Sequence, residues 1–141
     1  MRAISEDRIL EQFQLRLGSG RSLSDVVRAG LPTKNACKFI ESTSPSVPFD
    51  TLLRVAGVSR RTLERRAAMR LQPDQSDRLV RIARVIDFAE ESIGTRPQAL
   101  AWMNVPNRAL QGARPIEELD TDAGAKRVET VLGRLREGVV G

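Results

Sequence analysis

The residues with most to offer chemically are arginines. Nine stand between Arg54 and Arg84 (Arg54, Arg60, Arg61, Arg65, Arg66, Arg70, Arg78, Arg81 and Arg84), opposed only by Glu64, Asp74 and Asp77. The whole chain carries +5, so this window, at +6, holds all of the excess and leaves the remainder about neutral. The isoelectric point is about 10.6. Guanidinium groups bind phosphate and make bidentate contacts to guanine, so basicity this local suits a nucleic-acid partner. Other chemistries lack their reagents. There is no histidine, and Cys37 is the only cysteine. An intrachain disulfide, Ser-His-Asp catalysis and Cys-His catalysis are thereby excluded, and no zinc ligand set remains. Glu90, Glu91, Glu117 and Glu118 fall where solvated helix faces are expected, with no spacing that makes a catalytic pair. The expectation is a non-enzymatic protein without metal or cofactor.

The basic residues need an element to present them, and the segment from Phe49 to Arg66 has the helix-turn-helix pattern. A first helix over Phe49–Val55 places Leu52 and Leu53 on its buried side. Gly57 falls where the turn needs a positive φ, which glycine adopts at little cost. A second helix over Ser59–Arg70 starts with Ser59 as its cap, and Val58 and Leu63 can pin it to the first. The DNA-binding set is then Ser59, Arg60, Arg61, Thr62, Arg65 and Arg66, because the N-terminal residues of a recognition helix reach base edges. A helix hairpin whose arginines face solvent or a protein partner is the alternative.

Hydrophobic residues make up 40% of the 141 residues and aromatic ones only 4%. A core of Leu, Val, Ile and Ala suits packed helices better than sheets. Helical spacing of Ile9, Leu10, Phe13 and Leu17 predicts a helix over 4–17, stopped at Gly18-Ser19-Gly20. Ser22 can cap a short helix ending at Gly30, and Thr33 the next, with Ala36, Cys37, Phe39 and Ile40 inward. Ser42 to Ser46 reads as a connector. Gln72-Pro73 breaks the chain, and Pro73 can open a long helix ending near Ile93 and Gly94, striped by Leu79, Ile82, Ala83, Ile86, Ala89 and Ile93. A shorter helix over 96–103 contains Trp102, read as a buried anchor. Residues 104–120 read as irregular, with one turn at 115–119. A last helix from Asp122 to Glu137 carries Ala125, Val128, Val131, Leu132 and Leu135 inward.

The expected fold is all-α: an N-terminal helix-turn-helix (Xre-like) module over residues 1–71, with the motif at about 48–70, packed with a C-terminal helical domain over 72–141. A core continuous across the break is the alternative. The start of the chain (Met1, Arg2, Ser5, Glu6, Asp7, Arg8) lacks the apolar run of a signal peptide. No stretch nears the roughly 20 apolar residues of a membrane helix, so a cytoplasmic location is expected.

Several motifs then fall in series. Arg61-Thr62-Leu63-x-Arg65-Arg66 precedes Leu71-x-Pro73-x-x-Ser76-Asp77-Arg78-Leu79. Arg81-x-Ala83-Arg84 and the Gly94 stop follow, then Ala101-Trp102-Met103-x-x-Pro106-Asn107-Arg108-Ala109-Leu110-x-Gly112-x-x-Pro115. Gly124-Ala125-x-x-Val128-x-x-x-Leu132 and Gly138-Val139-Val140 close the chain. Over residues 57–141 this resembles the Xre/MbcA/ParS antitoxins, which partner RES-domain toxins; the likeness over 1–56 is weaker.

The resemblance implies a type II antitoxin that represses its own operon through operator DNA and plugs the toxin's NAD-binding cleft with its C-terminal end. Such toxins consume NAD⁺ by phosphorolysis or by ADP-ribosylating a target. The implied toxin-binding residues are Arg136, Glu137, Gly138, Val139, Val140 and Gly141. On the residues alone this tail reads as a frayed helix end, as such segments are in most proteins, and Asn107 and Arg108 either brace their loop or touch a partner. A stand-alone transcription regulator with a C-terminal dimerisation domain is the alternative function. A homodimer is expected, because helix-turn-helix proteins commonly read paired half-sites, with the helix over 73–93 and its neighbours as its interface.

Overall fold

Helix stop signals and one long apolar stripe organise the chain around a central helix. The structure, a computed structural model, describes residues 5–65 and 69–138. In order they form α1 (Glu6–Glu11), α2 (Leu23–Ala29), α3 (Thr33–Thr43), α4 (Phe49–Ala56), α5 (Arg60–Glu64), α6 (Pro73–Ile93), α7 (Arg96–Met103), 3₁₀ turns at Arg108–Leu110 and Pro115–Asp120, and α8 (Asp122–Arg136). Among the described residues there is no strand; one isolated bridge joins Pro32 and Arg70. No helix among them is long and apolar enough to cross a membrane.

Helix α6 begins as its sequence predicts, with Pro73 in the first position, where a missing N–H costs nothing. The Gln75 side chain accepts from the Gln72 N–H at 3.0 Å and closes the first turn. Gly94 ends the helix at φ 144°. Leu79, Ile82, Ala83, Val85, Ile86 and Ala89 are fully buried. Around them α6 packs against α8, α7, α1, α2 and α4. One apolar core results, with Ile9, Phe39 and Leu52 at one end and Met103, Val128 and Leu132 at the other. From Arg78 to Ile93 no residue of α6 is exposed. Arg78, Arg81, Arg84 and residues 90–93 stay partly accessible, and Pro73, Asp74 and Asp77 are exposed.

Three helices differ from their sequence expectation for tertiary reasons. α1 stops at Glu11 rather than running to residue 17. The chain tightens there, the Phe13 and Gln14 N–H groups donating to Leu10 and Glu11 carbonyls. Phe13 then drops inward and stacks on Phe39, ring centroids 4.5 Å apart. Thr33 is the first helical residue of α3, not its cap. Its N–H donates to the Met69 carbonyl at 3.1 Å, and that bond sets where α3 begins. α5 ends at Glu64 instead of Arg70. Leu71 N–H donates to Leu31 O at 2.9 Å, which draws the segment after the recognition helix into an extended pairing beside Gly30. A Cβ on Gly30 would collide with the Leu71 carbonyl, so that close approach requires glycine.

The C-terminal half departs less. Residues 104–120 are better ordered than expected, held by Asn107 N–H to Ala113 O at 3.0 Å and by the Asn107 side chain capping Ala109 N–H at 2.9 Å. Trp102 is half-buried against the core rather than fully enclosed. On α8, Ala125, Val128 and Leu132 are buried, but Leu135 is 42% exposed, because the core ends one turn before the helix does.

Candidate functional site

The helix-turn-helix forms where the sequence places it. α4 ends at Gly57, which takes the left-handed conformation (φ 69°, ψ 33°). The Gly57 and Val58 N–H groups donate to Arg54 and Leu53 carbonyls at 3.2 and 3.0 Å, satisfying carbonyls the helix leaves open. Val58 and Leu63 are each 4% exposed and belong to the common core, and α5 packs against α3. Ser59 caps α5, accepting from Thr62 N–H at 3.1 Å, and the two hydroxyls meet at 2.9 Å.

Helix α6 braces this turn from behind. The Gln75 amide donates to the Gly57 carbonyl at 3.0 Å. The Arg78 guanidinium lies over Gly57, so close that an added Cβ would sit 2.7 Å from it. Gly57 is thus favoured by its positive φ, while the space beside it is bounded only by the end of the flexible Arg78 side chain.

The eight described arginines of this window differ in what they hold. Arg54 pairs with Glu117 at 3.4 Å and ties α4 to the Pro115–Asp120 turn. Arg70 donates to Gly30 O at 2.8 Å. Arg78 pairs with Asp74. Arg81, nearly buried, bridges Asp77 and the Leu119 carbonyl. Arg84 pairs with Glu129 of α8. These five hold the fold together, so the basic window is not a uniform footprint. Arg60 is intermediate: it reaches Asp50 at 2.6 Å and lies 4.8 Å over the Phe49 ring, while its side chain stays 61% exposed. Arg61 and Arg65 are exposed, with no ion pair to any described residue. Thr62 is half-buried in the cap. Arg66 lies outside the described residues.

At the other end of the molecule, Thr121 caps α8 through Gly124 N–H at 3.0 Å. A Cβ on Gly124 would collide with the Glu118 carbonyl, so glycine lets the helix start against the preceding turn. Arg127–Glu118 at 2.7 Å fixes that corner. The helix runs out into solvent: Arg134, Arg136, Glu137 and Gly138 are all exposed. Gly138 has φ 78°, so the chain leaves the helix axis there. Val139, Val140 and Gly141 lie outside the described residues.

Sequence reasoning missed a polar network on the far side of α6. Asp87 is only 4% exposed, although it sits among buried apolar neighbours, Ile86, Phe88 and Ala89. Arg8 of α1 pairs with its Oδ1 at 2.6 Å. Burial pushes the Asp87 carboxyl above the ordinary carboxylate range, with Arg8 pulling the other way and Glu91 and Glu11 reinforcing the rise. Nearby, Arg96 donates to the Gln12 side chain at 3.0 Å and to Glu90 at 3.3 Å. A carboxylate inside the α6 stripe was the one available signal. Among the described residues no cluster of three metal-ligating side chains occurs.

Comparison with known proteins agrees with this layout. Residues 22–84 match the model of the antitoxin Xre-like helix-turn-helix domain. Residues 89–138 match that of the antitoxin Xre/MbcA/ParS C-terminal toxin-binding domain. An antitoxin Xre of Photorhabdus laumondii is 34% identical over 125 residues, covering 86% of this chain and 83% of that protein. An antitoxin Xre of Yersinia enterocolitica is 36% identical over 97 residues, 67% of this chain and 66% of that one. A Sphingobium protein named Prs ADP-ribosylating antitoxin is 29% identical over 125 residues, 80% and 77% of the two chains.

The Gly57 geometry makes a local prediction. Gly57→Ala must strain a left-handed residue and displace Arg78, and should cost about 1–3 kcal/mol. Gly133, inside α8 with open space around it, is the control. Gly133→Ala should leave the melting temperature unchanged or raise it, since alanine favours helix by about 1 kcal/mol. Equal Tm values for the two variants would contradict the role given to the turn.

Proposed function

Because the chain belongs to the Xre/MbcA/ParS antitoxin family, we propose that it neutralises a RES-domain toxin that consumes NAD⁺ and represses the operon encoding the pair. The protein's part is steric and electrostatic rather than enzymatic. The observation that carries this reading is that two regions each present exposed arginines without an ion pair to a described residue: Arg61 on α5 and Arg65 just past its end in one, and Arg134 and Arg136 on the last turn of α8 in the other. The first lies in the region matching the helix-turn-helix family and the second in the region matching the toxin-binding family.

On DNA, α5 would enter the major groove. Arg61 and Arg65 would meet phosphate or guanine, and the Ser59 cap would orient the helix. Arg60, held by Asp50 and Phe49, would supply a fixed positive charge. A homodimer would bring two such helices to half-sites about 34 Å apart, one turn of duplex.

On the toxin, α8 would carry Arg136, Glu137 and Gly138 to the mouth of the NAD⁺ cleft. Val139 and Val140 would form a narrow apolar wedge beyond the Gly138 bend, with Gly141 ending in a carboxylate. The Sphingobium relative, whose name couples an antitoxin with ADP-ribosylation of Prs, supports a partner that works on NAD⁺. Occlusion competes directly with nucleotide, and most of the contact area would come from the helices behind the tail, because four residues bury little surface.

The two halves of this reading separate experimentally. Arg61→Ala/Arg65→Ala should fold and still bind toxin, while promoter-fragment binding is lost or its log K against log salt slope flattens by about 1.8. An unchanged promoter shift and slope would remove α5 from the DNA interface. Deleting residues 138–141 should leave DNA binding intact and lower toxin affinity modestly, yet NAD⁺ consumption by the toxin should resume even at saturating antitoxin. Equal protection by full-length and shortened protein would move inhibition to the body of the domain.

A further inference from the structure

Arg60 differs from Arg61 and Arg65 in being held. It is the first residue of α5, directly after the Ser59 cap, and the N-terminal residues of a recognition helix are those that reach base edges. Its Nη2 donates to Asp50 Oδ1 at 2.6 Å, and its Cζ lies 4.8 Å from the centroid of the Phe49 ring. Phe49 and Asp50 are the first two residues of α4, so one end of the neighbouring helix supplies both contacts. Phe49 is half-buried and packs against the core, which makes it a fixed platform. An exposed ion pair alone orders a side chain weakly. A ring face against the same guanidinium adds a second constraint of different geometry. The outer side of the group stays open, with 61% of the Arg60 side chain exposed. The pair is not needed to hold α5 in place, since Leu63 is buried and Ser59 closes the first turn. Nor does it serve affinity for phosphate: Asp50, 80% exposed, sets a carboxylate beside the cation that a phosphate would seek.

We propose that Arg60 is the residue that reads a guanine edge, and that Asp50 and Phe49 are the positioning residues that reserve it for that contact. The inference rests on α5 being the DNA-reading helix. A guanidinium can approach a phosphate from many directions, but it recognises guanine O6 and N7 only as a planar fork. Fixing the plane of the fork therefore favours base over backbone. Holding the side chain in the free protein also removes its ordering cost from the binding step. The Asp50 charge sharpens the choice. It offsets the attraction of Arg60 to phosphate, which every sequence offers, and leaves the bidentate contact, which only a correctly placed guanine offers. Arg61 and Arg65 are exposed and have no ion pair to a described residue, so their full charge is available to the backbone. Specificity and affinity thus fall to different arginines of one short segment.

The test compares binding of the full-length protein to three duplexes. They are its own promoter fragment, the same fragment with deazaguanine lacking the N7 acceptor, and a scrambled duplex of equal length and composition. The parent should prefer the promoter over both others. Arg60→Ala should weaken promoter binding about tenfold, the scale of one bidentate base contact, and should bind the two promoter fragments alike. Asp50→Asn should lower the promoter-to-scrambled ratio several-fold while tightening binding to the scrambled duplex. Its log K against log salt slope there should steepen by up to about 0.9, as Arg60 is released to a phosphate. Asp50→Glu, which keeps the charge, should restore most of the ratio; a purely structural tie would move Tm and leave the ratio alone. Phe49→Leu keeps an apolar side chain without the ring face. It should lower the ratio in the same direction, and it provides the reading if Asp50→Asn does not fold. If the parent does not distinguish promoter from scrambled DNA and Arg61→Ala/Arg65→Ala changes neither, the DNA assignment of α5 fails and takes this inference with it. The inference alone is overturned if the parent prefers its promoter yet tolerates deazaguanine, or if Asp50→Asn and Phe49→Leu keep the parent's ratio.

Discussion

Both halves of the chain pack against α6. An amphipathic helix ordinarily keeps one side for water, whereas this one is enclosed from Arg78 onward by elements drawn from both halves of the sequence. Two consequences follow from that enclosure. The apolar residues of the helix-turn-helix and those of α8 belong to one core, so neither module has a separate interior. And the charged residues in the middle of α6 are drawn into the fold. Arg81, Arg84 and Asp87 must each find a partner within the fold, and they do so in Leu119 and Asp77, in Glu129, and in Arg8.

The same enclosure explains how a basic chain can be selective about where it is basic. Nine arginines in one stretch look like a single electrostatic feature when read linearly. In three dimensions five of them brace Gly57, Gly30, Asp77, Glu117 and Glu129. What remains for a partner is a short, capped helix held rigidly from behind by Gln75 and Arg78. Rigidity of that kind keeps a recognition helix pre-formed, which lowers the ordering cost of binding. Arg54–Glu117 also ties the helix-turn-helix to the C-terminal half.

The sequence was most legible where helical periodicity coincided with a stop signal. Pro73 and Gly94 bound α6, Thr95 and Asn104 bound α7, and Thr121 caps α8, all within a residue or two of expectation. Ser59 and Gly57 likewise announced the turn of the candidate site, because capping and positive φ are local properties. Elements whose limits depend on distant partners were not legible. Nothing near Arg65 foretells that Leu71 pairs with Leu31, and nothing near Phe13 foretells Phe39. The sorting of the arginines is hidden for the same reason, since each counter-ion is chosen by packing. Asp87 is the exception: a carboxylate within an apolar stripe is visible in the sequence, but its partner Arg8 lies 79 positions away.

If one core serves both modules, they must lose their structure together. Trp102, the only tryptophan, reports on the C-terminal half from α7, whereas far-UV circular dichroism reports on all the helices. Equilibrium unfolding in urea should therefore give superimposable transitions by the two probes, in the parent and in a Leu79→Ala variant whose midpoint is lowered by a central cavity. A dichroism transition that precedes the fluorescence change, or a Leu79→Ala effect confined to one probe, would show two independent units and contradict the shared-helix account.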